Sequence, residues 1–528
     1  MAVTAPRGPA PVAGFGRLRL SPATAVASLC ALVLAVLVEL APLVGADLAA
    51  QQWWASATGV PVDLGWYGGV PIASYSLLSP WTGALLGLPL EGVVGTVLGA
   101  ACTTTLLGRL GPSTARLTTA GVAAAALWAA DEWSGRTTFG LGAALAALAL
   151  LMATGRRPAA RPAAALLAVL AGATSPLASV FLLVAAAAWW WAGRDRSWLR
   201  AGPAEPWWIA GGALVPVVVA RLLGAATGPE PFSTHQMLGA LAATGLTWAL
   251  VPPAHVALRA GVALTAGLLV ATWTVANPIG SNSVRLVLLF AVPVLVAVAR
   301  TEPVATLLAA LAVSVLLPPV LFTDLAPRDA GSERAQALLA ELAQRGPTGR
   351  IEVAPMRGHE ESVEVAQSVP VARGWLRQLD TARNPLFYDG SLDAARYLRW
   401  LGERGVSYVV LPRGPLDWAA EGEARLVRRG VPGLSEVWED RWWRLYQVPG
   451  GGTVVGGTLV SSDRSRMVVD VTAPGRVQLA VWWSRWSSLT GPGGCVRPGS
   501  HDGWTTLVAD RPGRYELTSS WRPTGRCA

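Results

Sequence analysis

The sequence predicts a polytopic α-helical membrane protein followed by an α/β module and a small C-terminal β-sandwich-like module. Of its 528 residues, 52% are hydrophobic and only 14% are charged, a balance that is unlike that of a soluble protein. Long Ala/Leu/Val runs alternate with short arginine-bearing breaks between residues 20 and 322, and the charge density beyond 323 is that of a soluble domain. Short alternating polar and apolar runs, separated by Gly, Pro and Asp, follow residue 451.

These changes of composition divide the chain into a cytoplasmic N-terminal tail (1–20), a transmembrane domain (21–322), an extracytoplasmic α/β module (323–450) and an extracytoplasmic β-rich module (451–528). The net charge of +9 comes from arginine alone, since the chain has no lysine, and many of these arginines lie in the breaks between apolar runs. This distribution is typical of the positive-inside bias of membrane proteins. A nucleic-acid-binding protein would gather its basic residues on a soluble face, so no nucleic-acid partner is expected.

A membrane helix needs about 20 apolar residues. On that measure the sequence predicts about eleven transmembrane helices, near 21–45, 82–107, 117–130, 137–155, 163–174, 176–192, 206–227, 238–253, 259–276, 284–299 and 304–322. The region 162–192 fits either one long helix or a hairpin broken at Ser175–Pro176. Arginines at 156–161 and 194–200 make both of its flanks resemble cytoplasmic segments, so an even number of crossings, and therefore a hairpin, is expected.

With the N-terminus inside, the breaks poorer in arginine become outer loops. They are 46–81, 131–136, 174–176, 228–237 and 277–283, together with everything after 323. The sequence thus predicts a multi-pass protein of the cytoplasmic membrane, surrounded by membrane lipids, with both C-terminal modules outside. Cys495 and Cys527 then lie in an oxidising compartment, where they can form a disulfide, whereas Cys30 and Cys102 lie in apolar runs.

The two modules have their own predicted elements. In the α/β module we expect helices at 332–345 and 392–404, and strands at 350–354, 406–411 and 437–448. In the β-rich module we expect strands at 453–460, 466–471, 477–483, 505–508 and 515–519, which would form a small β-sandwich or half-barrel.

Candidate functional residues are those that this topology places at the outer face, because no soluble-enzyme signature is present and the four histidines are scattered. They are Asp47, Asp63, Asp131, Glu132, Arg136, Arg221, Glu230, His235 and Arg285. Ionisable residues in or beside membrane spans are costly and usually face a cavity or a partner. Arginines bind phosphate through paired hydrogen bonds, and a carboxylate can act as general base towards a hydroxyl. Together they favour a site for a phosphate-bearing amphiphile.

A simpler interpretation is that these residues mark membrane interfaces, with arginines reaching towards water and solvated acids. In that interpretation the paired aromatics Trp53/Trp54 and Trp66/Tyr67 form an interfacial belt. Asp63 is expected to be a turn residue ahead of two glycines.

A resemblance to a known superfamily lies in the first outer loop. Asp47-Leu48 directly follows the first span, and Trp66-Tyr67-Gly68-Gly69-Val70-Pro71 and Tyr75 precede Pro80, which opens the next one. In this pattern the chain resembles bacterial polytopic membrane proteins of the GT-C glycosyltransferase superfamily. Two weaker similarities are the small-residue span after Arg136 and the entry into a late span at 282–285. In addition, the segments 397–412 and 443–446 resemble the extracytoplasmic α/β module of such proteins. The segment 372–388 resembles uncharacterised actinobacterial membrane proteins.

The resemblance implies a GT-C-like fold and transfer of a sugar from a polyprenyl-phosphate-linked donor to an envelope glycan or protein acceptor at the outer face. It assigns the catalytic base to Asp47, and a second acidic role to Asp131 or Glu132. From the topology and the first-loop motif together, the residues expected at the substrate are Arg136, Arg221, Arg285, His235, Trp66, Tyr67 and Tyr75. After Asp47 the chain has Ala-Gln-Gln where members often place a histidine, so the metal requirement, including any divalent cation, stays unknown.

Two other functions fit the same architecture. A transporter or flippase of a lipid-linked glycan would need polar residues at mid-membrane positions, and the mid-span regions here are poor in charge. A non-catalytic envelope scaffold would keep the fold and use its outer modules to bind glycan or protein partners.

Overall fold

Apolar helices make up most of the described residues between 21 and 316. A computed structural model describes residues 21–56, 59, 61–154, 160–193, 205–223, 228–328, 331–346, 348–499 and 503–527. The elements of the first part are α1 (Pro22–Glu39), β1 (Leu43–Gly45), α2 (Asp47–Ala55), α3 (Ser79–Leu86), α4 (Leu88–Gly108), α5 (Thr114–Trp133), α6 (Thr137–Ala153), α7 (Ala160–Thr174), α8 (Pro176–Ala192), α9 (Glu205–Leu223), α10 (Thr234–Leu250), α11 (Val256–Thr274), α12 (Arg285–Val298) and α13 (Pro303–Leu316). The predicted N-terminal tail and the arginine clusters at 156–157 and 194–200 lie outside the described residues.

Each predicted span falls on one of these helices, although several ends differ. The span predicted from residue 82 is divided at Gly87, whose φ of 80° ends α3 before Pro89 opens α4. Within the described ranges, five helices are long and apolar enough to cross a membrane, and four shorter helices are also apolar. Large side chains such as Leu29, Val218 and Leu307 are exposed on their outer faces, as contact with lipid requires. The chain is therefore a membrane protein, while the number of crossings and the orientation stay predictions.

The region 162–192 is divided as predicted. Helix α7 ends at Thr174, and α8 begins at Pro176 with Ser175 in an extended conformation between them. Both helices pack on α6. The break has a direct cause, because proline disfavours the α conformation of the residue before it and offers no amide hydrogen to the preceding turn.

The predicted outer breaks meet at one end of the helix bundle. The amide of Leu77 bonds the carbonyl of Ala173, and Glu230 bonds Asn277 in the same way. Strand β1 pairs antiparallel with β2 (Leu325–Pro327), which follows the last apolar helix. At the opposite end, Arg116 donates to the carbonyl of Thr301 at 3.1 Å. The breaks that are poor in arginine and those that are rich in it thus lie at different ends of the bundle, which is the grouping that the arginine distribution predicts.

An α/β module follows β2. Its elements are α14 (Gly331–Arg345), β3 (Arg350–Val353), α15 (Arg377–Arg383), α16 (Ala394–Glu403), β4 (Val406–Pro412), α17 (Glu421–Arg429), β5 (Ser435–Glu439) and β6 (Trp443–Gln447). The sheet has the order β3-β4-β6-β5, in which β3 and β4 are parallel and the other pairs antiparallel. The single strand predicted at 437–448 is a hairpin, because the Asp440 carboxylate accepts bonds from the amides of Trp442 and Trp443 and turns the chain.

The C-terminal module consists of two four-stranded sheets. Its strands are β7 (Val454–Val455), β8 (Thr458–Ser462), β9 (Arg466–Val471), β10 (Gly475–Trp482), β11 (Ser487–Thr490), β12 (Gly494–Pro498), β13 (Trp504–Ala509) and β14 (Gly513–Ser519). The sheet orders are β12-β13-β10-β7 and β11-β14-β9-β8. The strand predicted at 453–460 is divided at Gly456, whose φ is 90°. A disulfide joins Cys495 and Cys527, as the sequence predicts.

The first outer loop forms part of the cores of both modules. Trp53 and Trp66 stack at 5.1 Å and are fully buried in a core that includes Ile351 and Leu445 of the α/β module. In the same loop, Val62 contributes to the core of the β-sandwich. These aromatic residues are therefore not an interfacial belt as their pattern suggests. They attach the two modules to the helix bundle.

Candidate active site

Asp47 occupies the first turn of α2, at the point where the loop leaves the end of α1. Its side chain is 35% exposed. The partial positive charge at a helix N-terminus favours a carboxylate at this position. Helix α2 is fixed by Gln51, a buried side chain whose Oε1 accepts from the amide of Thr138 at 2.6 Å and whose Nε2 donates to the Gly135 carbonyl. Gln51, the first glutamine of the Ala-Gln-Gln segment, thus anchors helix α2.

Two arginines hold the Asp47 carboxylate. Arg136 Nε donates to Oδ2 at 3.3 Å, and Arg285 Nη2 donates to the same oxygen at 3.1 Å. Among the described residues, no side chain donates to Oδ1. Asp47 therefore presents one anchored oxygen and one oxygen that is available to a ligand.

The turn after α5 brings Arg136 to Asp47. Gly135 has a φ of 76°, and a Cβ at this position would lie 2.5 Å from the carbonyl oxygen of Gly45 and 2.6 Å from the amide of Leu48. Only glycine permits this close approach of the two backbones. Burial alone would lower the pKa of Arg136, but Asp131 and Asp47 outweigh this effect and raise it.

Arg285 is placed by the turn that precedes α12. Ser283 is buried, and its hydroxyl lies 3.0 Å from that of Thr272 in α11. The Arg285 guanidinium lies 5.1 Å from the ring of Phe139 at the start of α6. An apolar cavity of about 290 Å³ lies between α4, α6, α8, α10, α11 and α12, and its wall includes Leu286 and Phe290. The lining thus extends from Leu286, the residue after Arg285, to Arg109 and Thr154 near the other end of the bundle.

The two acids at the end of α5 have different surroundings. One oxygen of buried Asp131 contacts Arg136 Nη1 at 3.5 Å, and the other has no hydrogen-bond partner among the described residues. Glu132 packs against Gly92 of α4 and lies beside Glu39 of α1. The structure thus brings Asp131 to the Asp47 site, and Glu132 to a separate position between α1 and α4.

Of the other predicted substrate residues, only Tyr75 lies near Asp47. Burial raises the pKa of the Tyr75 hydroxyl to about 12, and the charges of Asp47 and Arg285 also act on it. Trp66 and Tyr67 are buried, with the Trp66 indole donating to the Ser362 carbonyl at 2.8 Å. These two residues therefore hold the loop in place.

The remaining two predicted substrate residues are at the surface. Arg221 lies in the last turn of α9 and His235 in the first turn of α10, and both are exposed. Neither is among the hydrogen-bond partners that the structure gives Asp47. Asp63 is the turn residue that was expected, since its Oδ1 accepts from the amides of Gly65 and Trp66.

The α/β module contacts the loop that carries Glu230. Helix α15 contacts the loop before α10, where Thr381 donates to the Pro229 carbonyl at 2.5 Å. Glu230 accepts from Ser281 at 3.3 Å, and its Oε2 is buried with no hydrogen-bond partner among the described residues. Burial raises the pKa of Glu230 to about 7, and Arg377, Asp47 and Arg285 also act on it. Glu230 is thus, after Asp131, a further carboxyl that interacts electrostatically with Asp47.

A buried histidine supports Arg377, and sequence reasoning missed it. Arg377 Nη2 donates to Asp417 at 2.7 Å, and Asp417 lies 3.5 Å from His359 Nε2. The His359 ring stacks on Trp375 at 3.6 Å and contacts Glu361 at 3.2 Å. Arg377, Trp375, Asp380 and Tyr388 stand out in the sequence because of their residue types. His359 and Asp417 carry no such signal, because their meeting depends on the fold.

A metal site is not assigned. In the described ranges, no group of three or more His, Cys, Asp or Glu could hold a metal ion. The positive charge next to Asp47 comes from arginine side chains.

Comparisons with known proteins give likenesses among solved structures. No protein-family model matches the chain, and no curated protein sequence matches it. A cryo-EM structure of a mutant of the arabinofuranosyltransferase AftD from Mycobacteria is similar, with 15% sequence identity and a TM-score of 0.46. The match covers 94% of this chain and 60% of that longer chain. A likeness of this size carries no argument about function.

Proposed function

We propose that this chain is a membrane glycosyltransferase that takes a sugar from a polyprenyl-phosphate donor at the outer face of the cytoplasmic membrane and transfers it to an envelope glycan or glycoconjugate. The observation that carries the proposal is the Asp47 carboxylate, which is anchored by Arg136 and Arg285 through Oδ2 and has Oδ1 available. The resemblance of the first loop to GT-C glycosyltransferases supports the same role for Asp47.

In this mechanism Asp47 Oδ1 removes the proton from an acceptor hydroxyl. The hydroxyl oxygen attacks the anomeric carbon of the donor sugar, and the bond between that carbon and the phosphate oxygen breaks. The electron pair of the broken bond leaves on the polyprenyl phosphate, and the proton stays on Asp47 until solvent removes it. A positioned base of this kind contributes roughly 10²–10⁴-fold to the rate.

The arginines have two roles in the proposal. Arg285 and Arg136 hold Asp47 in position, and their remaining N–H groups can hold the phosphate of the donor. Leu286, the residue after Arg285, and Phe290 line an apolar cavity that offers space for part of the polyprenyl chain. Asp131 orients Arg136, and Glu230 with Arg377 forms the side of the site that faces the acceptor.

The test uses the full chain in proteoliposomes with a panel of polyprenyl-phosphate donors labelled in the sugar, and with fragments of envelope glycan as acceptors. We expect label to move into the glycan and polyprenyl phosphate to appear in equal amount. Movement of intact donor across the bilayer without cleavage would instead show a flippase. Absence of both activities across the panel, with a stable partner that copurifies, would show a scaffold.

A further inference from the structure

The loop between β10 and β11 touches the end of a membrane helix. Arg485, in this loop, donates from Nη2 to the carbonyl of Leu222 at 2.6 Å. Leu222 lies in the last turn of α9, where it is 69% exposed, and Val218 one turn earlier is 54% exposed. An apolar helix face this exposed is expected to contact lipid. The hydrogen bond therefore places Arg485 at the level where that face ends.

Two tryptophans extend from this point along the β-sandwich. The Arg485 guanidinium lies 4.7 Å from the Trp486 ring, and the rings of Trp486 and Trp521 are 5.0 Å apart. Trp521 is 55% exposed, although a residue of this size is usually well covered in a soluble domain. Arg522, next in the chain, is also exposed. The result is an aromatic pair flanked by arginines at the level where α9 ends.

We propose that Arg221, Arg485, Trp486, Trp521 and Arg522 form a binding surface for anionic phospholipid headgroups, which fixes the β-sandwich on the membrane. Tryptophan rings are amphipathic and favour the headgroup level. Arginines near an anionic leaflet are attracted to it. Arg221 is included because it is exposed and lies in the same helical turn as Leu222, the residue that Arg485 contacts. A lipid phosphate would then be the partner of Arg221.

The experiment uses the full chain in nanodiscs of phosphatidylcholine, with and without phosphatidylglycerol. A p-benzoylphenylalanine replaces Trp521, and photo-adducts are identified by mass spectrometry. Leu222→p-benzoylphenylalanine on the lipid-facing helix is the positive control. Val455→p-benzoylphenylalanine is the matched negative control. Val455 is 59% exposed on the same module, but it pairs with Gln478 in β10, several residues before the loop that contains Arg485.

We expect lipid adducts at positions 521 and 222, with severalfold fewer at 455 and with more at 521 when phosphatidylglycerol is present. Arg522→Gln, which leaves the bond between Arg485 and α9 intact, should remove the preference for phosphatidylglycerol at 521. The proposal fails if position 521 gives no more lipid adducts than 455 while 222 reacts. It also fails if an added oligosaccharide, rather than lipid, is captured at 521, since the tryptophan pair would then be a carbohydrate-binding surface.

Discussion

Arg136 and Arg285 approach Asp47 from opposite parts of the chain and bond the same oxygen. The first follows α5 and the second begins α12, so the carboxylate joins three separate elements of the bundle. Such a group is costly to bury unless it is fully paired. Asp47 avoids that cost by remaining partly exposed, which also makes it accessible to a substrate.

Replacing Arg285 by lysine tests whether the planar guanidinium matters or only its charge. Arg285→Lys keeps the charge but loses the fixed fork that can bond Asp47 and a phosphate together. We expect transfer to fall about 10- to 100-fold, the value of one or two charge-assisted bonds. Arg300→Lys, at an exposed position beyond the other end of α12, is the matched control in the same proteoliposome assay. Equal activity of both variants would contradict the role of Arg285.

His359 makes the stability of the α/β module depend on pH. Burial alone would lower its pKa, but Asp417 and Glu361 outweigh this effect and raise it from 6.5 to about 9. A histidine whose folded pKa is raised contributes stability that is complete below pH 6.5 and is lost as the pH rises through about 9. The contribution is on the order of 3 kcal/mol.

Denaturant unfolding of the full chain across this alkaline range measures the effect. His359→Asn should remove most of the alkaline loss of stability, and asparagine tolerates the positive φ of 54° at this position. His235→Asn, at an exposed site, should keep the loss. An unchanged pH profile in His359→Asn would show that the ring is not the titrating group.

At the scale of elements, the turn at 134–136 sets the distance between Arg136 and Asp47. Gly135→Ala should place a methyl group against the backbone of Gly45 and Leu48 and push the two segments apart. We expect a loss of transfer activity and a destabilisation greater than the 1–2 kcal/mol that a left-handed alanine costs. Thermal unfolding and the transfer assay measure the two effects.

Gly111 supplies the control for this prediction. It has a φ of 78°, but a Cβ there would meet nothing within 4 Å. Gly111→Ala should therefore show the backbone cost alone and keep its activity. If both variants behave alike, the close approach at Gly135 has no role in forming the site.

A second contact between elements attaches the β-sandwich to the first loop. Arg464 donates to buried Asp63 at 3.3 Å and to the Trp53 carbonyl at 3.1 Å. Arg464→Ala would leave the Asp63 carboxylate buried without a cation, which costs about 3–5 kcal/mol. We expect earlier thermal unfolding and faster proteolysis of the sandwich. Arg466→Ala removes an exposed ion pair two residues away and should have little effect. Equal stability of the two variants would contradict this account.

Sequence patterns predict elements with strong periodicity but do not predict elements that are fixed by local turns. The long apolar runs predict the membrane helices because their length and composition suffice. Helix α2 lies in what the pattern shows only as a loop, since it is short and carries Asp47, Gln51 and Gln52 among its apolar residues. Strands β11 and β12 were also missed, because Gly and Pro residues around them resemble turns.

At the scale of the whole molecule, the loop 46–81 connects the helix bundle, the α/β module and the β-sandwich. Asp63 and Arg464 are 401 residues apart in the chain, and Trp66 and Ser362 are 296 apart. Contacts of this separation have no local signature, so the sequence predicts Asp47 as the leading residue of the loop but not the burial of Trp66. The same limit applies to Glu132, which the topology places at the outer face and which the structure packs against Gly92 and beside Glu39.

The most direct measurement is sugar transfer by Asp47→Asn in proteoliposomes, with donor binding and thermal unfolding measured on the same preparation. Asparagine keeps the shape and can still accept from the arginines, but it cannot take a proton. We predict that transfer falls by about 10²–10⁴-fold while folding and donor binding are retained, and that Asp389→Asn, at an exposed carboxylate of the α/β module, stays fully active. An Asp47→Asn protein that transfers sugar at the wild-type rate would contradict the proposal.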